Sequence, residues 1–115
     1  MLASGRRQGR ADAAQDRAPA SQMVIGVLQV ELTLPASNSL KDKRRLVKSL
    51  LDRLHNQFNV AAAEIDAQDN HRRAHLAVTC VSSEAKHANQ ILSHVMSTVD
   101  RESEMVVVHY DMELR

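Results

Sequence analysis

From residue 24 onward the chain alternates. Val24, Gly26, Leu28, Val30, Leu32 and Leu34 share one parity, and Gln29, Glu31 and Thr33 share the other. A period of two marks a strand with one buried face. Pro35-Ala36-Ser37-Asn38 breaks the pattern with turn-forming residues. Ser39, with Asp42 three positions later, has the spacing of a capping box. The spacing then predicts a helix over 40–56. At about 100° per residue, Val47, Leu50, Leu51 and Leu54 fall on one side, and Lys41, Arg44, Arg45 and Lys48 on another. Asp52 lies one turn beyond Lys48, at the spacing of a helical ion pair.

The remaining elements follow by the same rule. Residues 58–65 predict a second strand with small side chains, and 66–73 a polar hairpin loop. Residues 74–81 predict a third strand with Leu76, Val78 and Cys80 on one face. Ser82 or Ser83 is placed to cap a second helix over 84–99, whose apolar stripe is Ala88, Leu92, Val95 and Val99. In the last strand, 105–114, the alternation assigns Val106, Val108, Tyr110, Met112 and Leu114 to one side.

Strand, helix, strand, strand, helix, strand is the split βαβ arrangement. We therefore expect an α+β, ferredoxin-like βαββαβ fold: a four-stranded antiparallel sheet with both helices on one face. Right-handed crossovers put the first and third strands in the centre. The other face stays open. The alternation assigns it Ile25, Val27, Gln29, Glu31, His75, Ala77, Thr79, Val107 and His109.

The first 22 residues are of another kind. They are rich in Ala, Arg, Gln, Asp and Gly and lack apolar periodicity. Such a segment buries too little surface to offset its ordering entropy. We read 1–22 as a disordered extension, with Met23 as an alternative start, and 23–115 as one domain. Four arginines against two aspartates give 1–22 a charge of +2, so with +1 for the whole chain, residues 23–115 carry −1. An attraction to nucleic acid therefore has to come from a local patch.

Composition narrows the chemistry. Phe58 and Tyr110 are the only aromatic rings besides histidine, which leaves an aliphatic core and few stacking platforms. One cysteine, Cys80, excludes a disulfide within the chain and fits a reducing, cytoplasmic setting. The apolar run over 23–28 is far below the roughly 20 residues that span a bilayer, and no secretory segment follows the basic start. A membrane partner is not expected.

The segments SLKDKRR (39–45) and FNVAAAEIDAQD (58–69) resemble the YlxP-like family of small bacterial proteins, classed as a domain of unknown function. The resemblance covers residues 23–115 and leaves the extension outside. The positions matching its motifs are Ser39, Leu40, Lys41, Lys43, Arg44, Phe58, Asn59, Val60, Glu64 and Asp69. It implies the ferredoxin-like fold. The family's encoding beside transcription, translation-initiation and ribosome-maturation factors implies a role near RNA or the ribosome. It supplies no catalytic residues.

The densest charge lies at 41–48. Lys41, Lys43, Arg44, Arg45 and Lys48 are the candidate phosphate ligands, with Arg72 and Arg73 extending the patch if the hairpin loop reaches the same edge. Base stacking on the central strands, the usual mode for RNA readers of this topology, lacks rings other than His75. Nucleotide and nucleophile-elbow motifs are absent. An acylphosphatase-type site would need an arginine in a glycine-rich loop after the first strand, and residues 34–38 hold neither. His87 and His94 stand two turns apart, and a whole strand separates His75 from His109, so no metal site is expected. Glu64, Asp66 and Asp69 read as hairpin turn chemistry. The expectation is a non-enzymatic accessory protein without a cofactor, binding RNA or a ribosomal subunit through the helix. The alternative is a homodimeric or small-ligand-binding module that uses Ile25, Val27 and Val107 on the open face.

Overall fold

The computed structural model describes residues 22–66 and 69–115. The extension expected over 1–22 lies outside them, apart from Gln22. The elements are β1 (Val24–Thr33), α1 (Leu40–Gln57), β2 (Ala61–Asp66), β3 (Arg73–Ser82), α2 (Ala85–Asp100) and β4 (Val106–Leu114). They form one antiparallel sheet in the order β2-β3-β1-β4, with both helices on one face. This is the ferredoxin-like arrangement anticipated from the pattern.

The core lies between sheet and helices and is aliphatic. Leu28, Val30 and Leu32 of β1 meet Leu76 and Val78 of β3, under Leu50 and Leu54 of α1 and Leu92, Val95 and Val99 of α2. α2 covers β3, β1 and β4, and α1 covers the outer strand β2. Gly26 sits in the core-facing row of β1, where an added Cβ would lie 2.8 Å from Leu92 Cδ1 and 3.1 Å from Cys80 Sγ. The missing side chain lets α2 approach the sheet.

Local signals behave as their chemistry requires. Ser39 caps α1 and accepts a hydrogen bond from the Asp42 amide at 3.0 Å, while the Asp42 carboxylate accepts one from the Asn38 amide. At α2 the N-cap is Glu84, not Ser82 or Ser83, and it makes no side-chain cap bond. The Ser82 hydroxyl instead accepts from the Glu84 amide. The second strand starts three residues later than expected. Phe58 is the C-cap of α1, its amide bonded to the Leu54 carbonyl, and Phe58 and Val60 pack on the core as a connector.

The larger departure is in β4. Glu31 pairs with His109, but the next β1 residue, Leu32, pairs with Val107. Val108 is therefore skipped, which is a β-bulge. Residues opposite one another in the ladder share a face, so Val107 joins Leu32 on the core side, and Thr33 brings Val106 to the open face. A one-residue slip exchanges faces, and strict alternation across the bulge misplaces both valines.

Candidate nucleic-acid interface on helix α1

Capping by Ser39 fixes the phase of α1, and burial of Leu46, Val47, Leu50 and Leu54 fixes its rotation. One lysine belongs to the buried set. Lys43 is 1% exposed and heads the fully buried side chains by volume. Its Nζ lies 2.7 Å from Glu64 Oε2 on β2 and donates to the Asn70 carbonyl at 2.9 Å. Glu64 faces Lys43 because it pairs with core-facing Leu76, and the ladder then slips past Ile65 so that Asp66 pairs with His75. Lys43 is thus a clamp between α1, β2 and the hairpin, and it is withdrawn from the phosphate ligands expected from sequence.

The hairpin arginines do not extend the patch either. Arg72 Nε donates to the Ser37 carbonyl at 3.0 Å, tying the β2–β3 hairpin to the β1–α1 loop. Arg73 lies on the open face, 3.4 Å from Glu31. Arg72 belongs to the hairpin turn and Arg73 opens β3, and the two side chains reach different partners, so neither joins the α1 stripe.

What remains outward is Lys41, Arg44, Arg45 and Lys48, all exposed. Lys48 pairs with Asp52 at 2.8 Å, as expected from their spacing, and that hydrogen bond, then the carboxylate charge, raises the Lys48 pKa. Lys41, Arg44 and Arg45 make no ion pair among the described residues. Between this stripe and β2 runs a groove of about 280 Å³, lined by Arg44, Lys48, Asp52, His55 and Glu64 together with Val47 and Leu51. Sequence reasoning missed this groove, since it exists only where α1 overhangs the sheet edge.

The open face has a different character. Ile25, Val27, Ala61, Ala63, Ala77 and Thr79 form a shallow aliphatic area, part of it a depression of about 250 Å³. Beyond it Asp66, His75, Glu31 and His109 stand in one cross-strand row. His75 Nε2 contacts Gln29 Oε1 at 3.1 Å. Strand β1 does separate His75 from His109, with Glu31 between them. No group of three or more His, Cys, Asp or Glu side chains among the described residues is arranged to hold a metal ion. The expected trio of Ile25, Val27 and Val107 is broken up, because the bulge moves Val107 to the helix side.

Among the described residues no helix is long and apolar enough to cross a membrane. Residues 25–112 match the family described as Protein of unknown function (DUF503). The chain is 34% identical over 77 residues to the uncharacterized protein YlxP of Bacillus subtilis (strain 168), an alignment covering 67% of this chain and 84% of that one. Among solved structures, a de novo designed protein with ferredoxin fold matches at TM-score 0.48 and 13% identity, covering 79% of this chain and 84% of the design. A C-terminal segment of the alpha subunit of aIF2 from Pyrococcus abyssi matches at TM-score 0.45 and 16% identity, covering 80% of this chain and 49% of that one. Likenesses of this size carry no argument about function.

Proposed function

The chain belongs to the DUF503 family, and we propose that it is a non-catalytic accessory protein that binds RNA, free or within a ribosomal particle, through the outward face of α1. The observation that carries this reading is the set Lys41, Arg44 and Arg45: exposed, on one helix, and without carboxylate partners among the described residues. Solvated helix faces commonly interleave charges of both signs. Here the cations are left uncompensated on a domain whose residues 23–115 carry −1.

A phosphate backbone satisfies such a stripe without base recognition. Each neutralised phosphate of a single strand contributes about −0.7 to the slope of log affinity against log salt. Three or four contacts therefore give a slope of about −2 to −3. The open face is a poor RNA platform by comparison. It bears Glu31, Asp66, Asp111 and Glu113 against Arg73 and Arg115, the latter paired with Glu113, and Tyr110 pairs with core-facing Val30 and so points to the helix side. The same reading puts the protein in the cytoplasm, where ribosomes and a reduced Cys80 coexist.

The test is co-sedimentation of the full chain with ribosomal subunits, and its retention of RNA in a mobility shift, at low and high salt. The expected result is salt-sensitive association that Lys41→Glu with Arg45→Glu abolishes. Absence of the wild-type chain from every ribosomal fraction at low salt, with no RNA shift, overturns the reading.

A further inference from the structure

β4 is an outer strand of the sheet, nine residues long, and four of the seven large apolar side chains exposed among the described residues lie on it: Val106, Val108, Tyr110 and Leu114. Long, apolar edges present unpaired main-chain groups beside sticky side chains, and proteins either guard them or pair them. The opposite edge, β2, is shorter, exposes a single large apolar residue, Ile65, and is flanked by the cations of α1. β4 has the bulge at Val108 as a guard near one end, and the stretch beyond it is the edge left to be covered.

We propose that β4 pairs antiparallel with β4 of a second copy of this chain, about a two-fold axis at Tyr110. The occupant follows from the charge pattern of the strand. In a two-fold ladder each residue faces a fixed counterpart, and the relation is reciprocal. Side chains of one face must also meet one another. With the axis at Tyr110, the two Tyr110 rings are neighbours, His109 faces Asp111 twice, and Met112 faces Val108 twice. His109 and Asp111 share the open face, being paired with Glu31 and Gln29 of β1. Moving the axis to Asp111 sets that carboxylate against its own image. Moving it to Met112 sets Asp111 against Glu113 twice. Like charges directly opposite are destabilising. An axis N-terminal of Tyr110 runs the bulged segment around Val108 through the centre of the ladder. The Tyr110 register joins apolar to apolar and acid to histidine over residues 108–112, and the bulge at Val108 closes this ladder at either end.

The product is a continuous eight-stranded sheet with all helices on one face. Because α1 covers β2, at the far edge, the pairing leaves both α1 stripes uncovered. The inference does not depend on the RNA reading, and a dimer of this kind would carry two basic faces on one side.

The test takes the full chain. Sedimentation velocity over a range of micromolar concentrations is expected to give twice the chain mass. Directly opposed residues of an antiparallel ladder have Cα atoms about 4.5–5.5 Å apart, within disulfide range. Under mild oxidation Tyr110→Cys is therefore expected to give a covalent dimer. Val81→Cys, exposed at the far side of the open face, is expected to stay monomeric on a non-reducing gel. Cys80 is buried and does not interfere. A monomer mass at every concentration overturns the proposal. So does cross-linking of Val81→Cys without Tyr110→Cys, which would put the second copy on the open face instead.

Discussion

Lys43 Nζ lies 2.7 Å from Glu64 Oε2, with the lysine side chain 2% and the glutamate 19% exposed. The two residues belong to the two segments that carry the family resemblance, SLKDKRR and FNVAAAEIDAQD. Their meeting gives those segments a structural purpose: they lock α1 to the edge strand and to the Asn70 carbonyl of the hairpin.

Breaking this pair by removing one partner strands a charge. The cost is about 3–5 kcal/mol when both groups are dry, and the partial exposure of Glu64 lowers it to about 2–3 kcal/mol. Glu64→Gln is expected to cost more than Lys43→Met, because it leaves a buried ammonium, whereas methionine preserves the apolar stem and leaves a carboxylate with access to water. The double variant is expected to be less destabilised than the sum of the two. Urea unfolding of all three variants measures this. Additive effects would mean that the two charges do not interact.

Arg72→Ala separates architecture from binding. Loss of a charge-assisted bond to the Ser37 carbonyl, at an exposed guanidinium, is expected to cost about 1 kcal/mol. It should leave the salt slope of RNA binding unchanged, since this side chain ties two loops together. A reduced slope with unaltered stability would return Arg72 to the phosphate ligands.

Gly26→Ala tests the close approach of α2. Its Cβ would lie 2.8 Å from Leu92 Cδ1, 3.1 Å from Cys80 Sγ and 3.5 Å from Leu114 Cδ2. Leu92 is fully buried, so its methyl has little space to yield. Overpacking costs about 1–3 kcal/mol, and the better strand propensity of alanine offsets about 0.5–1 kcal/mol of it. A net loss of about 1 kcal/mol is expected in thermal or urea unfolding. A stabilised variant would show that the helix is free to shift.

Burial raises the Cys80 thiol pKa above its ordinary 9.0, while the hydrogen bond with the Gly26 backbone lowers it by a smaller amount. A folded-state pKa above the unfolded one means that the native state holds its proton longer. Stability from this group is complete below the unfolded pKa and falls as pH rises from there through the folded value. The wild-type chain is expected to lose stability above about pH 9 more steeply than Cys80→Ala does. The native thiol is also expected to react with a thiol reagent only at the rate of local or global opening. Fast labelling in native buffer would contradict the buried placement.

The elements and their order were legible because apolar period is a local quantity. The strand pattern of residues 24–33 and the stripe of α2 need no partner to be read. Phe58 was misassigned to a strand because a helix C-cap and a strand start share extended backbone. The candidate site was legible only as a list of cations. Lys41, Arg44 and Arg45 stay outward as the helical wheel requires, whereas Lys43 lies on the buried arc, where its charge had suggested solvent.

The fold class, the aliphatic core, the capping of α1 by Ser39 and the Lys48–Asp52 pair follow from local pattern in the chain, since each depends on residues within one or two turns or on a fixed period. Contacts between distant segments account for three further features. They brought Glu64 and Asn70 to Lys43, and so turned a surface lysine into a clamp. They tied Arg72 to the Ser37 carbonyl and set Arg73 beside Glu31 on the open face. They placed a bulge at Val108 that moved Val107 to the core side and Val106 to the open face. Each depends on which side chain of a distant strand stands opposite. That is set by ladder register, and a one-residue slip that reverses every later side chain leaves no mark on the local apolar pattern.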